Sequence, residues 1–384
     1  LSAFVEQGEA KKALLLYRQM REEGVKPDHQ TIVTALQACG LLAEDEEPII
    51  LGPQSIKVKC FNVGRALHAD ARSEGFLPDS FVFNALVSLY GKCGAIVDAE
   101  NVFSSVEIPD ALLWVRMLSA FLELGQAENA LQSFKLMQAE GMETNPHTFL
   151  IAVQACGILA QKEDTIVMEG RSVKLMGLEI GQALLIDAQK RNLHLDVYVA
   201  TALVNLLGKC GSVEDALTMF KMMRNRTVVT WTAMLASYAQ HGRGQEAIQL
   251  FHQMHSEGFE PNEISFVSVL SACSHTGLVF EGCYYFSSMF QEFEVTPVTI
   301  HFSCLMDLFG RTGTLDIAAH IINQMPFQPE SDEWYTFLCA CKSLGDVRSG
   351  ICAAEQVLEL YPKHSAAYVS LSNIYASAGA WEEV

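Results

Sequence analysis

The residues of this chain that could carry chemistry are its cysteines, histidines and acids, and their spacing decides what they can do. Eleven cysteines are enough for a disulfide framework or for zinc sites. Cysteine zinc sites draw on CxxC pairs, and the chain has none; the closest two, Cys339 and Cys341, stand either side of a single residue. A zinc deaminase acting on a nucleobase needs an HxE motif and a later PCxxC pair, for water activation and proton transfer. His255-Ser256-Glu257 has the form of the first, but no CxxC follows, and the string falls at the tail of a helical stretch. No catalytic residue, metal ligand or cofactor is assigned, and the chain is not expected to be an enzyme.

The cysteines have a better explanation in a repeat. ALQACGLLA (35–43) returns as AVQACGILA (152–160), and NALVSLYGKCG (84–94) as TALVNLLGKCG (201–211). The offset is 117 residues, and it also separates Cys39, Cys156 and Cys273, as well as Cys93 and Cys210. Small residues recurring in this way are expected to be buried where helices pack.

Each block divides further into paired helices. In 228–262, VVTWTAMLASYAQHG reads as one amphipathic helix and GQEAIQLFHQMHSEG as its partner, with stops at Gly242, Gly258 and Pro261. One such pair cannot bury its own apolar face, so stacked pairs must share a continuous core. The composition agrees: 384 residues, half of them hydrophobic, 18% charged, 11 prolines. No apolar run reaches the roughly 18–20 residues of a membrane span, so no membrane association is expected. The chain starts at Leu1 and stops at Val384 in mid-pattern and reads as a fragment, from which any targeting peptide would be missing.

At GKCG, QACG, SACSHTGLV and WTAMLASYAQHGRGQEAIQLFHQM the sequence resembles the pentatricopeptide repeat proteins, in their plant-type PLS subclass of alternating long and short repeats. The resemblance covers essentially the whole chain. It implies an all-α, right-handed superhelical solenoid of helix-turn-helix repeats, without strands. The expected array occupies 1–330, as a partial standard unit 1–28 and units 29–79, 80–110, 111–145, 146–196, 197–227, 228–262, 263–298 and 299–330. An E-type, tetratricopeptide-like extension at 331–384 is cut off before its last helix is complete. Units 29–79 and 146–196 run to 51 residues each, against about 35 in the family. The surplus, near 44–63 and 161–180, is expected as a loop or added short helix protruding between paired helices.

The same resemblance implies single-stranded organellar RNA as the partner, read one base per repeat, with site recognition for cytidine-to-uridine editing or other processing. It implies a mitochondrion or chloroplast, and a deaminase or other editing factor engaged through the extension or following Val384. A monomer is expected. In the family, the fifth and last residues of a unit read one base edge. That assigns Asn84 with Asp110 to uracil and Thr232 with Asn262 to adenine; Thr201 with Thr227, and Ser303 with Glu330, are polar but ambiguous. Val33, Val115, Leu150 and Val267 cannot read a base edge by hydrogen bonds. The second residues, Phe81, Leu112, Tyr198, Val229, Ile264 and Ile300, would sandwich bases in the family or pack in the core. Lys92, Lys209 and Arg311, each eight residues past the fifth position, share its helix face and are expected to meet phosphates.

The formal charge of −19 counts against a binder of nucleic acid unless the few cations are gathered in one groove, with acids such as Glu214, Asp215 and Glu246 on the outer helices. It also suits a different class, a protein–protein scaffold of tetratricopeptide type. The 31-residue short units oppose that alternative, because tetratricopeptide units keep to 34.

Overall fold

Helices dominate the computed structural model, which describes residues 1–51, 54–168, 171–377 and 379. They come as hairpins. The first five are α1 (Ser2–Glu6) with α2 (Ala10–Glu22), α3 (His29–Asp45) with α4 (Val58–Ser73), α5 (Ser80–Lys92) with α6 (Ile96–Ser104), α7 (Ala111–Glu123) with α8 (Ala127–Ala139), and α9 (Pro146–Lys162) with α10 (Leu175–Lys190). Then come α11 (Val197–Lys209) with α12 (Val213–Met222), α13 (Val228–Gln240) with α14 (Gly244–Ser256), α15 (Glu263–Thr276) with α16 (Val279–Gln291), α17 (Thr299–Arg311) with α18 (Leu315–Asn323), and α19 (Ser331–Leu344) with α20 (Val347–Leu360). α21 (Ser365–Ser377) is last. The expected all-α repeat class, with about ten hairpins, is what the chain adopts.

Side-chain caps start most of the first helices. Asp28, Asp79, Asp110, Asn145, Thr227 and Asn262 each accept a backbone N–H of the first turn of the helix they precede. Asp196 does the same for α11. Such a cap contributes about 1 kcal/mol and satisfies a donor the helix cannot use internally.

The chain forms two compact bodies, residues 1–164 with 179–202, and residues 165–178 with 203–384. In the first, α3, α5, α7 and α9 pack each on the next; in the second, α13, α15, α17 and α19 do so. The first glycine of GKCG makes this approach possible. A Cβ on Gly91 would lie 2.7 Å from the Cβ of Ala120, and one on Gly310, in the matching GRTG string, would lie 2.6 Å from that of Ala340. A Cβ on Gly208 would lie as close, 2.6 Å from Ser237 Oγ. The second glycine ends the helix in the left-handed region, with φ of 78° at Gly94 and 93° at Gly211.

The recurring cysteines are buried: Cys39, Cys93, Cys156 and Cys273 are fully enclosed, and Cys210 nearly so. Burial pushes the Cys93 and Cys273 thiols up to about 12, which leaves them protonated and unreactive. The aromatic core repeats with the block. Phe103 meets Trp114 edge-on at 4.7 Å, and Phe220 meets Trp231 at 4.8 Å, each pair adding about 0.5–1.5 kcal/mol beyond burial.

The expectation of no strands is corrected. The surplus segments do lie between paired helices, but each forms a two-stranded antiparallel hairpin, β1 (Ile49–Leu51) with β2 (Gln54–Ile56) and β3 (Ile166–Met168) with β4 (Arg171–Val173). Residues 52–53 and 169–170 lie outside the described residues. Both hairpins are tied to the following GKCG turn by the same bond: Lys57 N donates to Cys93 O at 3.0 Å, and Lys174 N to Cys210 O at 3.1 Å. The pairing that makes a hairpin is thus supported by an anchor some 36 residues further along the chain, which no local pattern announces. Ser55 O lies 2.1 Å from where a Cβ on Gly94 would stand, so that turn has room only for glycine.

Candidate functional site

In the first body, α3, α5 and α7 line a cleft of about 320 Å³, at the small end of ligand-sized pockets. Asn84 and Phe81 of α5 face it, with Val33 and Gln37 of α3, Leu112 and Arg116 of α7, and Lys92. Asn84 is 93% buried, and its Nδ2 donates to Ser80 O at 2.8 Å. Its Oδ1 has no donor. A buried carbonyl oxygen left unpaired costs about 1–3 kcal/mol and calls for an explanation. Asn84 thus lines the cleft with an amide whose oxygen is itself enclosed and has no donor from the protein.

The other expected base-reading residues are partly committed to the fold. Asp110 spends one carboxylate oxygen on Leu113 N at 2.7 Å as the cap of α7. Asn262 Oδ1 accepts from both Ser265 N and Ser265 Oγ at 3.0 Å, which uses both lone pairs and leaves Nδ2 as its free function. Thr227 spends its hydroxyl on the capping box with Thr230. Thr232 is buried, its Oγ1 donating to Val229 O at 2.9 Å. Ser303 Oγ lies 3.2 Å from both Thr299 O and Glu333 Oε1. Thr201 sits half-buried on the second turn of α11. The apolar fifth residues Val33 and Val115 are buried.

The second residues divide from the core plainly. Phe81, Leu112 and Tyr198 in the first body, and Val229, Ile264 and Ile300 in the second, are between 45% and 71% exposed. Each precedes the fifth residue of its helix by three positions, one turn away on the same face. An apolar or aromatic surface is therefore held in water beside each fifth position.

Lys92, Lys209 and Arg311 end α5, α11 and α17. Lys92 Nζ pairs with Glu44 Oε1 at 2.5 Å, and Arg311 Nε with Asp307 Oδ2 at 2.8 Å. Lys209 has no ion pair among the described residues. Two of the three expected phosphate contacts are thus already paired with acids of the protein itself. Gln37 was not assigned from sequence, nor was its counterpart Gln154 one block on. The signal was present in the Q of the repeated QACG string. Among the described residues, no group of three or more His, Cys, Asp or Glu is placed to hold a metal ion.

Comparison with known proteins supplies a frame for this geometry. The profile of the PPR repeat matches residues 1–25, 81–107, 113–142 and 198–228, that of the PPR repeat family matches 226–275, and that of the E motif matches 345–384. The chain is 34% identical over its full length to the pentatricopeptide repeat-containing protein At4g33170 of Arabidopsis thaliana, covering 36% of that protein. It is also 34% identical, over 97% of its length, to the Arabidopsis protein At2g03880, mitochondrial, covering 53% of it. Other matched Arabidopsis proteins carry the word chloroplastic in their names. The chain spans between 36% and 58% of the length of these relatives. Among solved structures it superposes on the pentatricopeptide repeat protein PPR10 in complex with an 18-nt psaJ RNA element. The TM-score is 0.64 at 16% identity, over all of this chain and 60% of that one. The fold is that of the helical-repeat solenoids.

Proposed function

The chain belongs to the pentatricopeptide repeat family, in its subclass of alternating long and short repeats with an E motif, and on that premise we propose that it binds single-stranded RNA in a mitochondrion or chloroplast. The binding selects a sequence, one base per repeat, and marks a site for cytidine-to-uridine editing or another processing step. The editing chemistry is assigned to a deaminase engaged through the E-type extension.

The observation that carries this reading is the orphaned Oδ1 of Asn84 beside the exposed face of Phe81. A flat group carrying a hydrogen-bond donor on its edge would cover Phe81 and, with the enclosed Asn84 amide turned outward, satisfy its oxygen. A nucleobase has that form: stacking on an aromatic side chain is worth about 1–3 kcal/mol. Uracil carries a single edge donor, N3–H, which either Asn84 Oδ1 or the second oxygen of Asp110 can accept. Adenine offers an acceptor at N1, matched to Asn262 Nδ2.

With the N-terminal repeats toward the 5′ end, units 80–110 and 228–262 lie four repeats apart. The preferred RNA then holds U, three further bases, and A. Fluorescence anisotropy on a labelled strand with that spacing, against a strand with U and A exchanged and against a duplex, tests the reading. Equal affinity for all three overturns it.

A further inference from the structure

Resting on the reading above, we propose that Gln37 and Gln154 read the bases opposite the two 51-residue repeats, and that both favour adenine. The long repeats lack a polar fifth residue: Val33 and Leu150 stand there, and Val33 is buried. One turn further along, each first helix breaks an otherwise buried run with a single exposed amide. Residues 32–40 of α3 are all buried but Gln37, and residues 151–156 of α9 are all buried but Gln154. Neither amide has a hydrogen-bond partner among the described residues. Gln37 faces the same 320 Å³ cleft as Asn84 and the exposed Phe81.

Helix geometry brings this amide back to the reading level. Side chains lean toward the N-terminus, so a residue covers the surface over the turn before its own Cα. Gln37 lies four residues past Val33 and therefore extends over the patch that Val33 leaves apolar. Its side chain is one methylene longer than that of Asn84, which favours that reach. A glutamine amide offers a donor and an acceptor side by side, the pattern that pairs bidentately with the amine and ring nitrogen of adenine. A glutamate there only accepts, and turns toward the amine of cytosine.

The unit 29–79 precedes the uracil-reading unit and 146–196 follows it by two. The RNA should therefore carry adenine immediately 5′ of the U and again two positions 3′ of it. Selection from a random single-stranded RNA pool, with the wild type and with Gln37→Leu, Gln37→Glu and Gln154→Leu, tests this. Because both glutamines are exposed, the leucine variants should keep the wild-type thermal midpoint. The expected result is loss of adenine preference in the one matching column, by about tenfold, with the U column kept; Gln37→Glu should move its column to cytosine. If the wild type enriches the U and A spacing but the leucine variants leave both columns unchanged, the glutamines do not read bases and this inference falls alone. If the wild type enriches no sequence, the base-reading function falls and this inference with it.

Discussion

An amide oxygen buried without a donor is a cost the folded protein carries, and Asn84 carries one. Asn84→Leu removes that cost while keeping the volume. The thermal midpoint is expected to hold or rise, while affinity for RNA bearing U at that position falls by about 1–3 kcal/mol. Calorimetry and anisotropy on the same variant separate the two effects; a lowered midpoint with unchanged affinity would mean the amide is structural. Asn262 supports a different test. Its Oδ1 is spent on Ser265, so only Nδ2 can meet a base. Asn262→Asp keeps the helix cap and exchanges that donor for an acceptor, so the preference at this base should move from adenine to guanine. An RNA selection that still returns adenine refutes the pairing. The identity of these residues was legible in the sequence through spacing and family resemblance. The atom each has left to offer was not, because that depends on which neighbours have already taken the other.

The helices were legible for a physical reason: caps such as Asp79 and Asn145 and apolar periodicity act within a few residues. The closeness of neighbouring first helices is encoded in single glycines, whose partners lie a whole unit away. Gly91→Ala should cost about 1–3 kcal/mol by overpacking against Ala120, and adding Ala120→Gly should restore part of the loss. Denaturant midpoints of the two single variants and the double variant measure it; strict additivity would deny the contact. The β-hairpins were invisible as strands. Three residues per strand carry too little alternation to read, and β1 and β2 are supported by an anchor on Cys93. Gly94→Ala forces a side chain onto Ser55 O and strains a φ of 78°. Amide exchange in Ile49–Leu51 and Gln54–Ile56 should quicken in that variant while α13–α15 keep their protection.

For the whole molecule, a net charge of −19 sets the terms of any encounter with RNA. Lys92 and Arg311 are already paired with Glu44 and Asp307, so Lys209 is the cation of the three that remains to release counterions. Replacing all three by glutamate should lower the salt slope of RNA binding by about 0.7, the value for one phosphate contact on a single strand, and not by three times that. Filter binding between low and moderate salt distinguishes these outcomes. By itself the sequence determined the repeat, the helical class, the burial of the recurring cysteines and the family, because each follows from local periodicity or from comparing one block with the next. Tertiary structure alone decided that Phe81 and its five counterparts stay in water, that Asn84 keeps an unpaired oxygen, and that Lys92 meets Glu44. Those outcomes rest on distances between residues tens of positions apart, and only the packing of one hairpin on another sets them.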